Sequence, residues 1–294
     1  MYALLKIISI TTVLLLLSGC GGESRSKTPP PNRPDANPTG TPESTPQNNP
    51  ENQGNQGEEG GIDQAHETSA TINVLVLYDN EVASKVDNVT AQVRHHFAVT
   101  NNVYADSGLD IHLNIAAIEK YAAQSHPALE EIANSQKVAA LREKYKADTV
   151  LLYQVITDAK EGDLVQCGVA YSVSSYEDSA YFKDAMFAQV EINCPSSTTA
   201  HEIGHNMGLV HSHLQNGDHA MPFSYGLGHG VDKKFTTIMA YGYLYHTENE
   251  ILKFSSPEYE CIPGYPCGIA EGEVGESHAT KVMGYTAPKI ANLY

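Results

Sequence analysis

Between residues 201 and 211 the chain reads His-Glu-Ile-Gly-His-Asn-Met-Gly-Leu-Val-His, and this spacing dictates local structure before any other feature is considered. Ser196, Ser197, Thr198 and Thr199 precede it and offer helix N-caps. On a helix His201 and His205 stand one turn apart on the same face, about 6 Å along the axis. Two imidazoles so placed grip one metal ion. Glu202 lies about 100° round from His201, close enough for its carboxylate to reach a water on that metal without ligating it.

His211 needs a different argument. On a continued helix it would point about 240° round from His205, away from the metal. Gly208 resolves the conflict, because glycine takes positive φ without a Cβ clash. The helix is therefore expected to stop at Gly208 and the chain to turn His211 back. Three neutral imidazoles then leave a tetrahedral Zn²⁺ one open position. Zinc brings the pKa of water there towards about 7, and Glu202 is placed to take its proton during attack on a peptide carbonyl.

This motif resembles that of the metzincin zinc proteases, and the resemblance runs from about Thr71 onward. It implies an α/β (α+β) fold: a twisted mixed sheet, two long helices, an active-site helix, and a smaller C-terminal half carrying a Met-turn. Thr237-Ile238-Met239-Ala240-Tyr241 matches that turn. In the family the methionine forms an apolar floor beneath the imidazoles. Tyr241 stands where some branches place a tyrosine that ligates zinc at rest or stabilises the oxyanion. The resemblance also implies an antiparallel edge strand that pairs with extended substrate. Gly168, Val169, Ala170 and Tyr171 are the candidates, by β-augmentation, although an internal strand is the alternative.

Within the metzincins, His-Glu-Ile-Gly-His-Asn-Met-Gly looks like reprolysins, whereas Ser212 after the third histidine is as in matrixins. The stretch from Phe254-Ser255-Ser256-Pro257 through Gly264-Tyr265-Pro266-Cys267-Gly268 is similar to bacterial reprolysin-like enzymes, the peptidyl-Asp metalloendopeptidases among them. An acidic-side-chain preference would need a cationic pocket, for which Lys233 and Lys234 are weak candidates.

Upstream, the β-branched run Thr71–Tyr78 predicts a buried strand. Val82, Val86, Val89, Val93, Phe97 and Val103 predict one long helix to about Asp106. Ile111–Ile118 reads as a strand, Leu129 to Tyr145 as a helix, and Ala147–Ile156 as a third, fully buried strand. Parallel neighbours with right-handed crossovers follow from that order. Shorter strands are expected at Cys167–Val173 and Phe187–Ile192, and a final helix near Ala287–Tyr294. His95 and His96 are placed on the polar side of the first helix.

Met1–Gly19 has the form of an export signal: Lys6, then the apolar run Ile7–Leu17, too short to span a bilayer comfortably. Leu17-Ser18-Gly19-Cys20 resembles the lipobox of bacterial lipoproteins, in which the cysteine is acylated and becomes the new N-terminus. The expected place is therefore the bacterial cell envelope, with Gly21 favouring, in that resemblance and for a Gram-negative source, the outer membrane or cell surface, or else secretion. Residues 20–67, dense in Pro, Asn and Gly, read as a disordered tether, because they bury too little apolar surface to offset ordering entropy. The catalytic domain is expected over 68–294.

Cys167, Cys194, Cys261 and Cys267 remain, an even number that suggests two disulfides in an exported domain. Proximity favours Cys167–Cys194 and Cys261–Cys267. A net charge of −17 argues against nucleic acid as a partner. Protein or peptide substrates are expected, and nothing sets an oligomeric state. Asp218 and Asp232 are weak candidates for Ca²⁺, as their spacing matches no EF-hand loop. His213, His219 and His229 crowd one loop, where solvated histidines are a better reading than a second metal. Two rival functions fit the same residues: a non-catalytic zinc-binding surface lipoprotein, and a hydrolase of cell-wall peptide cross-links.

Overall fold

The computed structural model describes residues 17–21, 69–121, 127–155, 166–173, 179–216 and 223–294. Most of the expected export signal and tether, together with His219 and Asp218, lies outside the described residues.

Strand β1 (Leu17–Gly21) is followed by β2 (Ala70–Tyr78), helices α1 (Asn80–Lys85) and α2 (Val89–Asp106), and β3 (Ile111–Lys120). Then come α3 (Leu129–Ala133), α4 (Gln136–Tyr145), β4 (Thr149–Gln154), β5 (Gln166–Tyr171), α5 (Ser179–Asp184) and β6 (Phe187–Glu191). The six strands form one sheet in the order β1-β5-β6-β4-β2-β3. β3, β2, β4 and β6 run parallel, while β5 is antiparallel to β6 and β1 antiparallel to β5. The sheet is mixed, as expected. Every residue of β4 is buried, because β2 and β6 flank it and side chains cover both faces.

The C-terminal half begins with helix α6 (Thr198–Asn206), then α7 (His213–Asn216) and the small sheet β7 (Gly230–Val231), β8 (Phe235–Thr237) and β9 (Glu250–Ile251). A hairpin of β10 (Glu260–Ile262) and β11 (Tyr265–Pro266) and helix α8 (Ala279–Ile290) complete the chain. Disulfides join Cys167 to Cys194 and Cys261 to Cys267, the pairing that proximity favoured.

Three expectations need correcting. The first helix is two, because Val86 is extended and Asn88 caps a new start, its Oδ1 accepting from Ala91 N at 3.0 Å. The second is also two, with Ser135 Oγ accepting from Val138 N at the head of α4. The last helix begins eight residues earlier than expected, at Ala279 rather than Ala287, so Pro288 falls in its final turn. Apolar periodicity hides such breaks, since a cap interrupts the backbone without interrupting the buried stripe.

Among the described residues, no helix is long and apolar enough to cross a membrane.

Candidate metal centre

Helix α6 runs along the sheet beneath β5 and β6. Its end is fixed where the spacing required: Gly208 has φ 86°, and its N–H donates to His205 O at 2.9 Å. The carbonyls left over at the helix end find partners, Leu209 N bonding Gly204 O at 3.0 Å and Thr286 Oγ1 of α8 bonding Met207 O at 3.1 Å. The turn brings His211 back against His201 and His205. One ligand atom from each histidine lies within 4.8 Å of the others.

The ring orientations suit a cation. His205 Nδ1 donates to Leu209 O at 2.8 Å, which leaves Nε2 as the unprotonated nitrogen. That Nε2 is buried with no hydrogen-bonding partner among the described residues, an orphaned acceptor facing the other two rings. His201 Nε2 and His211 Nε2 approach to 3.1 Å. Burial pushes the pKa of His205 down to about 4, against a smaller opposing effect of the Leu209 carbonyl. Burial, and then the neighbouring His205 and His211, lower that of His201 well below the ordinary imidazole range. Both net shifts favour neutral imidazole, the form that binds metal. Three neutral imidazoles are a donor set that fits Zn²⁺.

Glu202 is fully buried beside this triad, against the backbone of Gly168 on β5. Met239 is also fully buried, and its sulfur lies 3.0 Å from where a Cβ on Gly204 would stand, so it packs against α6. It adopts φ 75°, unusual for a residue with a side chain, inside a turn closed by Ala240 N to Thr237 O at 3.0 Å. Two residues later the Tyr241 hydroxyl reaches His211 Nε2 at 2.9 Å. The Tyr241 ring stacks on His201 at 5.9 Å and on the exposed Tyr243 at 5.7 Å.

The candidate substrate strand adjoins the centre. Gly168, Val169 and Ala170 pair with Val190, Gln189 and Ala188 of β6. On its other side β5 carries Leu17–Gly21 in antiparallel register, with Gly19 opposite Val169. Cys20, the expected lipid site, lies in that added strand.

Several supporting residues were missed from the sequence. Asn206 sits at the end of α6, fully enclosed. Its Nδ2 faces the carbonyls of Tyr171, Phe187 and Ala185 at 2.9, 3.0 and 3.2 Å, and its Oδ1 accepts from Thr149 Oγ1 at 3.3 Å. At the other end Thr199 Oγ1 meets the Tyr153 hydroxyl at 2.8 Å and His96 Nδ1 at 3.3 Å. His96 is therefore not on the polar side of its helix: it is wholly buried, in line with Val93, Thr100 and Val103, while His95 is exposed. Only the position of His96 on the helical stripe signalled this, and its polarity argued the other way.

The remaining sequence candidates are occupied elsewhere. His213 Nε2 bonds Glu276 O at 2.7 Å, and His229 Nδ1 contacts Ser277 Oγ at 3.1 Å. Asp232 is paired with His246 at 2.7 Å. Lys233 is an exposed partner of the same aspartate, and the Lys234 ammonium lies over the Tyr265 ring at 4.5 Å. Among the described residues, the one cluster of three or more metal-ligating side chains is the histidine triad.

Comparison with known proteins agrees with this geometry. Residues 90–212 match the model of the metallo-peptidase family M12B, reprolysin-like. A peptidyl-Asp metalloendopeptidase of Pseudomonas aeruginosa is 27% identical over 245 residues, covering 76% of this chain. The chain spans only 40% of that relative's length. In fold it is similar to one chain of a chaperone–substrate complex, with TM-score 0.58 and 23% identity over 76% of this chain and 35% of that one. Residues 90–212 are thus similar to reprolysin-like metallopeptidases, and the fold is metzincin-like, with a histidine triad that could hold zinc.

Proposed function

We propose that the chain is a zinc-dependent metalloendopeptidase that cleaves extracytoplasmic proteins or peptides, with Glu202 as its general base. The observation that carries this reading is the convergence of His201, His205 and His211 within 4.8 Å, with Glu202 buried one residue after His201 on the same helix.

Zn²⁺ would be held by His201, His205 and His211 and would supply Lewis acidity to a water and to a peptide carbonyl. The roles of the protein groups follow from placement. Glu202 takes the proton of the attacking water and passes it to the departing amine. The Tyr241 hydroxyl, at the edge of the triad, donates a hydrogen bond to the oxygen on which negative charge develops. Met239 and the enclosed end of α6 keep the three imidazoles in place. β5 offers main-chain groups to an extended substrate, and its pairing with Leu17–Gly21 supports an outer edge that accepts an antiparallel strand.

The Leu17-Ser18-Gly19-Cys20 sequence supports export and acylation at Cys20, which would place the catalytic domain on a tether at the cell envelope. Incorporation of labelled palmitate that disappears in Cys20→Ala tests the anchor.

The enzymatic reading is tested by hydrolysis of gelatin by the purified chain and by Glu202→Ala, with zinc measured on both. Cleavage by the wild type, lost in a variant that still holds about one zinc, is the expected result. Equal zinc with no cleavage by either protein on gelatin or a peptide library would sink it and favour a zinc-binding surface lipoprotein. Release of cross-linked peptides from cell walls, without gelatin cleavage, would favour the cell-wall hydrolase.

A further inference from the structure

Strand β5 turns alternate residues towards α6, and the residue facing Glu202 is Gly168. An ideal Cβ on Gly168 would stand 2.4 Å from Glu202 Oε1, 2.6 Å from Cγ and 2.7 Å from Cδ. Ordinary van der Waals contact begins at 3.4 Å. The carboxylate thus occupies the space that any side chain at position 168 would fill. Gly168 has no positive φ to explain its identity, so conformational freedom is not the reason for a glycine here.

We propose that Gly168 is a positioning residue for the general base: its missing side chain lets the Glu202 carboxylate sit against the substrate strand. The inference rests on the role of Glu202 given above. Three further features hold the strand at this distance. Cys167, the preceding residue, is tied through Cys194 to the segment that leads into α6. Gly168 itself is paired with Val190 of β6. Asn206, four residues after Glu202, bonds the carbonyl of Tyr171 at the far end of β5. Both ends of the strand are pinned to the active helix, so β5 does not easily swing away from a new methyl group. Glu202 is the flexible partner and would retreat, by roughly 1 Å at Oε1, the difference between the 2.4 Å and 3.4 Å separations.

The consequence is selective. Gly168→Ala should leave the fold and the three imidazoles intact while moving the one group that must meet a water within hydrogen-bonding reach. A displacement of about 1 Å in a reacting group lowers turnover by as much as a hundredfold. KM should move little, because the main-chain groups of β5 are unchanged.

The test compares wild type, Gly168→Ala, Glu202→Asp and the double variant, in the full chain loaded with zinc. Zinc content, kcat and KM on a gelatin-derived peptide, and a crystal structure of Gly168→Ala are measured. The expected results are one zinc per chain in all four, a kcat in Gly168→Ala at least tenfold below wild type with KM within about threefold, and a displaced carboxylate. Aspartate lacks the atom that stands 2.4 Å from the new Cβ, although its Cγ stays near the 2.6 Å position. Gly168→Ala should therefore cost less in the Glu202→Asp background. A kcat within twofold of wild type, an equal loss in both backgrounds, or a carboxylate that has not moved would overturn the proposal. If the wild type itself cleaves nothing, the base assignment fails, and carboxylate displacement in the crystal decides the steric claim alone.

Discussion

Asn206 Nδ2 donates to the main-chain oxygen of Tyr171 at 2.9 Å, so the last residue of α6 holds the last residue of β5. The same amide reaches the carbonyls of Ala185 and Phe187, and its Oδ1 receives the Thr149 hydroxyl. Removing it strands several enclosed polar groups at once, each costing about 1–3 kcal/mol. Asn206→Ala is expected to lower unfolding free energy by about 3 kcal/mol or more and to reduce kcat together with substrate affinity. Urea denaturation with two optical probes checks it. A loss below about 1 kcal/mol would show that water replaces the amide.

Tyr241 makes a separable prediction. Its hydroxyl lies 2.9 Å from His211 Nε2, while its ring stacks on His201. Phenylalanine keeps the ring and removes only the donor. Tyr241→Phe should retain zinc and an unchanged KM but lose about 100- to 1,000-fold in kcat, the range seen for oxyanion donors. Full activity would assign the tyrosine to packing. Loss of zinc would make it a ligand instead.

What the sequence made legible was whatever depends on local spacing. The helix stop at Gly208 and the convergence of His201, His205 and His211 follow from short-range geometry, whereas the place of Met239 came from resemblance alone. Short spacing also favoured the two disulfides, whose partners lie 27 and 6 residues apart. The supporting shell was not legible, because it joins residues distant in the chain. Thr199 and His96 are separated by 103 positions and Asn206 and Thr149 by 57. Polar residues with those partners look like surface residues until the sheet brings the partners together. Helix breaks at Val86 and Asn134 were hidden for the opposite reason, since the buried stripe continues across them.

His96 sets a pH dependence. Burial, and then the neighbouring His95, push its pKa down from 6.5 to about 4, with hydrogen bonding at Ile192 opposing them. Below pH 6.5 the unfolded chain takes up a proton that the folded chain refuses. Stability therefore falls as pH drops from 6.5 to about 4 and levels off beneath that. The contribution is on the order of 2 kcal/mol. Urea midpoints between pH 7.5 and 4 should decline less steeply in His96→Gln, which keeps a polar group beside Thr199. Parallel curves for the two proteins would refute the assignment. His229, held to about 4 mainly by burial, adds a similar slope that the substitution at 96 leaves in place.

The two disulfides should differ in what they protect. Loop closure assigns about 3–4 kcal/mol to the 27-residue span of Cys167–Cys194 and about 2 kcal/mol to the 6-residue span of Cys261–Cys267. Position separates them further. Cys167 adjoins Gly168, and Cys194 precedes the cap of the helix that carries Glu202, so this bridge controls how closely strand and helix approach. Cys261 and Cys267 close a hairpin in the C-terminal half. Cys194→Ser, made with Cys167→Ser to avoid a stray thiol, should therefore lower kcat even at temperatures where the protein remains folded. The equivalent pair of substitutions at 261 and 267 should lower the melting temperature with kcat nearly unchanged. Equal loss of kcat from both pairs would mean that the bridges act only through global stability, and the approach of β5 to α6 would then have to be maintained by Asn206 and the β6 ladder alone.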